Sequence, residues 1–209
     1  MNLRQLAAFC ESFTTPPSQV LYELERETYL KTIAPQMAAG RLQGQFLRFL
    51  SWMLRPNRIL EVGTFTGYSA ICLAEGLAEG GLLHTIEANP EFTFFGEKYF
   101  AKAGLSNRIV AHTGNAFDII PTLGETYDLV FIDSNKNDYA ALYDLVLDQV
   151  RPGGFLLTDN VLWDGKVMTG AKDRDTQTIR SFIQKVQDDP RVENALLPVR
   201  DGVMVTRKL

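Results

Sequence analysis

The stretch Arg58-Ile59-Leu60-Glu61-Val62-Gly63-Thr64-Phe65-Thr66-Gly67-Tyr68-Ser69 decides how the rest of the chain is read. Arg58 to Val62 is a short apolar run after Pro56-Asn57, the length of a central strand rather than of a helix. Gly63 and Gly67 bracket a turn in which the backbone can come close to a ligand, because no Cβ stands in the way. From Tyr68 through Ser69, Ala70, Ile71, Cys72, Leu73 and Ala74 the residues suit a helix. Its N-terminus would face the turn with free N–H groups and a positive dipole end.

A strand, a glycine turn and a helix can be no more than a tight connection, but the spacing here narrows the choice. A dinucleotide fingerprint has G-x-G-x-x-G, its middle glycine admitting a pyrophosphate. Here no middle glycine occurs, and Glu61 lies two residues before Gly63. That suits a ligand with an amino-acid end and no pyrophosphate. Leu82 to Glu87 then reads as a second strand ending in an acid, twenty positions after Gly67, where a carboxylate can accept ribose hydroxyls. Adenosine plus an amino acid without phosphates points to S-adenosylmethionine.

Outward from this unit the chain alternates strands and helices, the pattern of a parallel sheet covered on both faces. Residues 1–54 read as helical. Leu3, Leu6, Phe9 and Phe13 recur at helical spacing up to Pro16-Pro17, and Ser18 is an N-cap candidate before Val20, Leu21 and Leu24. Gln43 to Leu54 reads as an apolar helix (Phe46, Leu47, Leu50, Met53) packed on the sheet, preceded by the loop Met37-Ala38-Ala39-Gly40. A helix with an aromatic core stripe (Phe92, Phe95, Tyr99) follows Asn89-Pro90. Further strands are expected over Arg108–His112, Asp128–Asp133 and Phe155–Asp159, the last after a turn at Arg151–Gly154. A helix is expected around Thr176–Gln187. Asn194–Val199 and Val203–Arg207 should form an antiparallel edge joined across Asp201-Gly202.

Composition excludes several classes. The 209 residues, 45% hydrophobic and 22% charged, fit one globular domain. A net charge of −4 gives no basic field to gather nucleic acid, and no apolar run approaches the ~20 residues needed to span a membrane. Met1-Asn2-Leu3-Arg4-Gln5 and Glu11 do not make a signal peptide, and Cys10 and Cys72 read as reduced core thiols of a cytoplasmic protein. His84 and His112 both fall inside expected strands and read as structural. With only these two histidines, a His-rich zinc site and a Ser-His-Asp triad are poorly supplied.

In an open α/β sheet ligands bind beyond the carboxyl ends of the strands. The strand ends carry Glu61 and Gly63, Glu87, Asn115 and Ala116, Asp133, and Asp159-Asn160. Buried like charges repel unless something positive sits among them. Asp133, Asp159 and Asn160 offer three oxygen ligands, which suits Mg²⁺ or another hard divalent cation. Strand-end acids can instead cap the helices that follow. Lys136, three residues past Asp133, is either a solvated loop lysine or, beside a cation that disfavours its ammonium form, a general base.

These residues match a family. Gln43-Gly44-Gln45-Phe46-Leu47, Glu61-Val62-Gly63 with Thr66-Gly67-Tyr68-Ser69, Phe131-Ile132-Asp133 with Lys136 and Tyr139, and Asp159-Asn160-Val161-Leu162-Trp163-Asp164-Gly165 resemble the cation-dependent O-methyltransferases, the caffeoyl-CoA and catechol O-methyltransferase group with its small bacterial members. The resemblance runs from about Gln43 to the C-terminus and implies a Rossmann-like class I methyltransferase fold. That fold is a doubly wound, mostly parallel seven-stranded sheet with an antiparallel C-terminal hairpin, in a single domain with residues 1–54 as a helical cap on a 58–209 core.

The resemblance also implies S-adenosylmethionine held by Ala39, Glu61, Gly63, Thr64, Ser69, Glu87, Ala116 and Asp133, and Mg²⁺ held by Asp133, Asp159 and Asn160. Lys136 would be the base, Trp163 would lie in a loop over the site against an aromatic acceptor or serve structure alone, and the protein would be a homodimer. The N-terminal helices match the family only loosely, which leaves the acceptor open. A small catechol-like phenolic diol leads. A hydroxylated uridine in tRNA, reached through a basic strip of Lys166, Lys172, Arg174, Arg180 and Lys185, is the alternative. A cofactor-binding scaffold or a nicotinamide oxidoreductase fits the residues less well.

Overall fold

The run Arg58–Val62 forms β1, with Ile59 through Val62 buried, and the sheet grows from it on both sides. The computed structural model describes residues 3–209, so the opening Met1-Asn2 lies outside the described residues. The further strands are β2 (Leu82–Glu87), β3 (Ile109–Thr113), β4 (Tyr127–Ile132), β5 (Val150–Thr158), β6 (Val192–Leu197) and β7 (Val203–Lys208). They form one seven-stranded sheet in the order β3-β2-β1-β4-β5-β7-β6. β1 pairs in parallel with β2 and β4, while β7 runs antiparallel to β5 and β6. This is the Rossmann-like fold with the expected antiparallel edge.

The helices are α1 (Leu3–Ser12), α2 (Gln19–Lys31), α3 (Gly40–Leu54), α4 (Tyr68–Ala74), α5 (Thr93–Lys102), α6 (Ala116–Leu123), α7 (Tyr139–Leu147) and α8 (Arg174–Asp188). Alternation along each central strand divides the core in two. Ile59, Leu129 and Phe131 pack with Leu24, Leu47, Ile71 and Tyr99 on one face. Leu60, Val62, Val130 and Ile132 pack with Ile120, Leu142, Tyr143 and Phe182 on the other. Because the strand order reverses between β1 and β4, a crevice opens there beyond the carboxyl ends.

Several local expectations shift. Ser18 caps α2 as expected, its hydroxyl accepting from Leu21 N–H at 3.4 Å. α3 starts three residues before Gln43, at Gly40, and Met53 points to solvent at 72% exposure because α3 packs on α4 and α1 rather than flat on the sheet. The Arg151–Gly154 turn lies inside β5. The register slips between the Tyr127/Val150 and Leu129/Phe155 pairs, so the segment bulges without ending the strand. Cys72 is buried, whereas Cys10 is only partly covered and is not a core thiol.

His84 and His112 sit on adjacent strands with His84 Nδ1 and His112 Nε2 3.0 Å apart, sharing a hydrogen bond. Burial lowers the pKa of both, and for His84 the neighbouring His112 lowers it further. A histidine whose folded pKa lies below its unfolded value of ~6.5 stabilises the fold above that pH and loses this contribution as pH falls. The thermal midpoint of the wild type should therefore drop between pH 7.5 and pH 5 by more than that of a His84→Leu/His112→Val variant. Equal drops would show that the pair does not control acid stability.

Candidate functional site

β1, β4 and β5 carry Glu61, Asp133 and Asp159 to one end of the sheet, and main-chain ladders continue to the acids themselves. Asp133 N–H donates to Val62 O and Asp159 N–H to Ile132 O, each at 2.9 Å. The turn after β1 can lie against the end of β4 only because it begins with glycine. Gly63 has φ +104°, and a Cβ there would stand 1.9 Å from the Asp133 carbonyl oxygen.

A cavity of about 960 Å³ opens above these ends, within the usual range for a small-molecule site. Gly63, Glu87, Ala116, Asp133, Lys136, Asp159 and Asn160 all line it. Ala39, Thr64 and Ser69 line a small adjoining recess that shares Gly63 and Asp133. Glu87 accepts from Phe65 N–H at 2.7 Å and from Asn89 N–H at 2.8 Å, one bond on each carboxylate oxygen. A second lone pair on each oxygen stays available to a diol such as a ribose.

Glu61 lies deeper, fully buried beneath the turn, and does not line the cavity. Thr85 Oγ1 donates to its Oε2 at 2.5 Å, while Oε1 has no partner. Burial, against the hydrogen bonds of Ser69 and Thr85, pushes its pKa up to about 8. Asp133 and Asp159 are likewise raised, both by burial first and Asp133 next by the charge of Asp159. Asp159 Oδ1 is buried without a hydrogen-bond partner. Two crowded carboxyls and an orphaned oxygen are the donor set that a hard cation would satisfy, and Asn160 adds a neutral oxygen.

Lys136 Nζ lies 3.6 Å from Asp133 Oδ1 and donates to Asn160 Oδ1 at 3.0 Å and to Ser134 O at 3.1 Å. The sequence-derived base and ligands therefore meet in one place. Tyr139, part of the same motif, donates its phenol to Asp159 O at 2.9 Å and fixes the end of β5. Trp163 is different. It does not line the cavity but packs against the α6–α8 core, in a loop where Trp163 (φ +51°) and Asp164 (φ +50°) are both left-handed.

Of the expected basic strip, Lys166, Lys172 and Arg174 are exposed, while Arg180 and Lys185 are engaged within the protein. The Arg180 guanidinium donates to the carbonyls of Lys166, Val167, Thr169 and Ala171, and Lys185 pairs with Asp144 at 2.9 Å. One basic lining residue escaped the sequence reading. Arg200, in the connection between β6 and β7, reaches the cavity wall from the far end of the chain. Only the loose signal of a charged residue beside a turn dipeptide marked it.

Comparison with known proteins agrees with this geometry. The O-methyltransferase family model matches residues 11–209. A catechol O-methyltransferase of Niastella koreensis is 37% identical over 138 residues, 64% of this chain and 62% of that relative, less than two thirds of its length. Caffeoyl-CoA O-methyltransferase 2 of Eucalyptus globulus is 31% identical over 190 residues, covering 83% of this chain and 75% of the relative. Among solved structures, the O-methyltransferase from Bacillus cereus in complex with SAH superposes with a TM-score of 0.89 at 28% identity, over 98% of this chain and 97% of that one.

The raised pKa of Glu61 has a testable sign. A carboxyl that keeps its proton to about pH 8 when folded, but releases it near 4.3 when unfolded, favours folding less and less as pH rises between those values. The ligand-free protein should lose thermal stability across that window, and Glu61→Gln should flatten the loss. A Glu61→Gln variant with the same pH slope as the wild type would show that Glu61 is ionised in the folded protein.

Proposed function

The chain belongs to the O-methyltransferase family, and from that premise we propose that it is a divalent-cation-dependent enzyme. It transfers the methyl group of S-adenosylmethionine to a hydroxyl of a small catechol-like diol. The observation that carries the reading is the meeting of Asp133, Asp159, Asn160 and Lys136, with Lys136 Nζ 3.0 Å from Asn160 Oδ1, on the wall of a 960 Å³ cavity. The methyl donor is assigned to the β1 side of that cavity. Glu87 would accept from the ribose hydroxyls, and Gly63, Thr64 and Ser69 would line the amino-acid end, with Ala39, Ala116 and Asp133 as further walls. Glu61 supports this seat from below through Thr85, Thr64 and Ser69.

Asp133, Asp159 and Asn160 would hold the cation, most simply Mg²⁺, which when bound supplies positive charge beside the acceptor hydroxyl and favours its oxyanion. Lys136 takes the hydroxyl proton at Nζ. The acceptor oxygen's lone pair forms the new O–CH₃ bond as the sulfonium S–CH₃ bond breaks, and the pair from that bond remains on sulfur. What the protein contributes is mainly alignment of oxygen, methyl carbon and sulfur.

The whole chain is read as one catalytic domain, residues 1–54 capping the 58–209 core. The cap leaves Phe9, Phe13, Tyr29, Leu30, Trp52 and Met53 exposed, which supports a second copy as their cover and hence a homodimer. Two free thiols favour a reducing, cytoplasmic compartment, and no helix among the described residues is long and apolar enough to cross a membrane. The catechol and caffeoyl-CoA relatives favour the small diol over the tRNA alternative, for which Lys166, Lys172 and Arg174 remain exposed.

Methyl transfer from labelled S-adenosylmethionine to catechol should proceed with Mg²⁺ and stop with excess EDTA. Asp159→Ala should abolish the metal-dependent rate, and Lys136→Ala should lower it by roughly 10²–10⁴-fold. Activity that survives both EDTA and Asp159→Ala would sink the cation mechanism. Transfer to undermodified tRNA with none to catechol would move the acceptor to RNA.

A further inference from the structure

We propose that Arg200 is a positioning residue that clamps residues 36–43 as the outer wall of the cofactor cavity. The inference rests on the proposed seat of S-adenosylmethionine in that cavity. Arg200 Nη1 donates to Ala38 O at 2.9 Å, Ala39 O at 2.6 Å and Gln43 Oε1 at 2.9 Å, and Nη2 donates to Gln36 O at 3.1 Å. Before α3 begins at Gly40, the segment it holds has little structure of its own. A single 3-10 turn over Pro35–Met37 is closed by Met37 N–H to Ala34 O and Ala38 N–H to Pro35 O. Gln36 and Met37 nonetheless line the large cavity, and Ala38 and Ala39 line the recess beside Gly63 and Ser69. One guanidinium therefore fixes a wall that the local backbone cannot fix.

The other side of the same turn is bolted to the loop that follows Asp159-Asn160. Val161 N–H donates to Gly202 O at 3.1 Å and Leu162 N–H to Asp201 O at 2.8 Å. Asp164 N–H donates to Asp201 Oδ1 at 2.6 Å. Gly202 fits there because a Cβ would stand 2.4 Å from Leu162 Cγ. The connection between β6 and β7 thus grips the loop carrying the candidate cation ligands and reaches across, through Arg200, to the cofactor side. Gln43, fully buried in the first turn of α3, takes the clamp into that helix through its Oε1.

The backbone points to a role beyond local stability. Arg200 has φ +49°, in the left-handed region that strains a residue with a side chain and suits glycine. A residue chosen for the turn alone would be glycine; the guanidinium needs arginine. Arg200→Gly separates the two demands, since it relieves the backbone and deletes the clamp.

The test measures binding of S-adenosylhomocysteine by calorimetry, together with hydrogen exchange at the Met37 and Ala38 amides, in wild type, Arg200→Gly and Glu87→Ala. Arg200→Gly should keep a thermal midpoint at or above that of the wild type. It should also bind S-adenosylhomocysteine about tenfold more weakly, the scale of losing charge-assisted hydrogen bonds that pre-order a wall. Its Met37 and Ala38 amides should exchange faster and gain little protection from ligand. Unchanged affinity in Arg200→Gly with weakened binding in Glu87→Ala overturns the clamp and leaves the cofactor seat standing. Unchanged affinity in both overturns the seat and the clamp with it. Weakened affinity with unaltered exchange at residues 37 and 38 also overturns the clamp.

Discussion

Everything at this site follows from crowding carboxyls at one end of the sheet, Glu61 buried and Asp133 and Asp159 on the cavity wall. Glu61, Asp133 and Asp159 stand at the ends of three adjacent strands, and burial raises the pKa of each. An isolated buried carboxylate costs several kcal/mol, so such a cluster persists only where protons, cations or donors answer it. The three acids are answered differently. Glu61 accepts from Thr85, and burial pushes its pKa up to about 8. Asp133 has Lys136 at 3.6 Å. Asp159 keeps one buried oxygen without a hydrogen-bond partner. That graded arrangement separates Glu61, beneath the turn after β1, from the Asp133–Asp159 pair on the cavity wall, within one sheet end.

The same constraint explains what the sequence disclosed. β1 was legible because a five-residue apolar run before glycine has few alternatives, and Gly63 because the Asp133 carbonyl leaves no room for a Cβ. The candidate ligands were legible because acids at strand ends follow from topology: once Asp133 and Asp159 end parallel neighbours, they must meet. The Arg151–Gly154 bulge was not legible. Its proline and glycines signal a turn whether the chain reverses or merely slips register, and only pairing with Tyr127 and Leu129 distinguishes the two. Trp163 was left between two roles for a related reason. Its position beside Asp159-Asn160 placed it near the site in sequence, but left-handed backbone at Trp163 and Asp164 turns the loop toward the α6–α8 core.

Charge at a distance was the other blind spot. Arg180 and Lys185 look free in a linear reading, because nothing near them in sequence absorbs a positive charge. The fold supplies the carbonyls of residues 166–171 to one and Asp144 to the other. Arg200 is the converse case. Its partners lie between residues 36 and 43, at the opposite end of the chain, and no local pattern connects them.

That long reach gives the antiparallel edge a purpose beyond covering the sheet. β7 pairs with β5, whose end carries Asp159, so a turn leading into β7 is delivered to the site with the precision of a ladder rather than of a loop. Thr158 faces Met204 in that register, so Arg200, four residues before Met204, lies past the strand end. From there a long planar side chain can span to the segment before α3, whereas a shorter one cannot. The described residues before β1 include no strand, so the segment ahead of α3 needs an external tether to form a defined wall. An arginine on a turn anchored to the β5–β7 ladder meets that need.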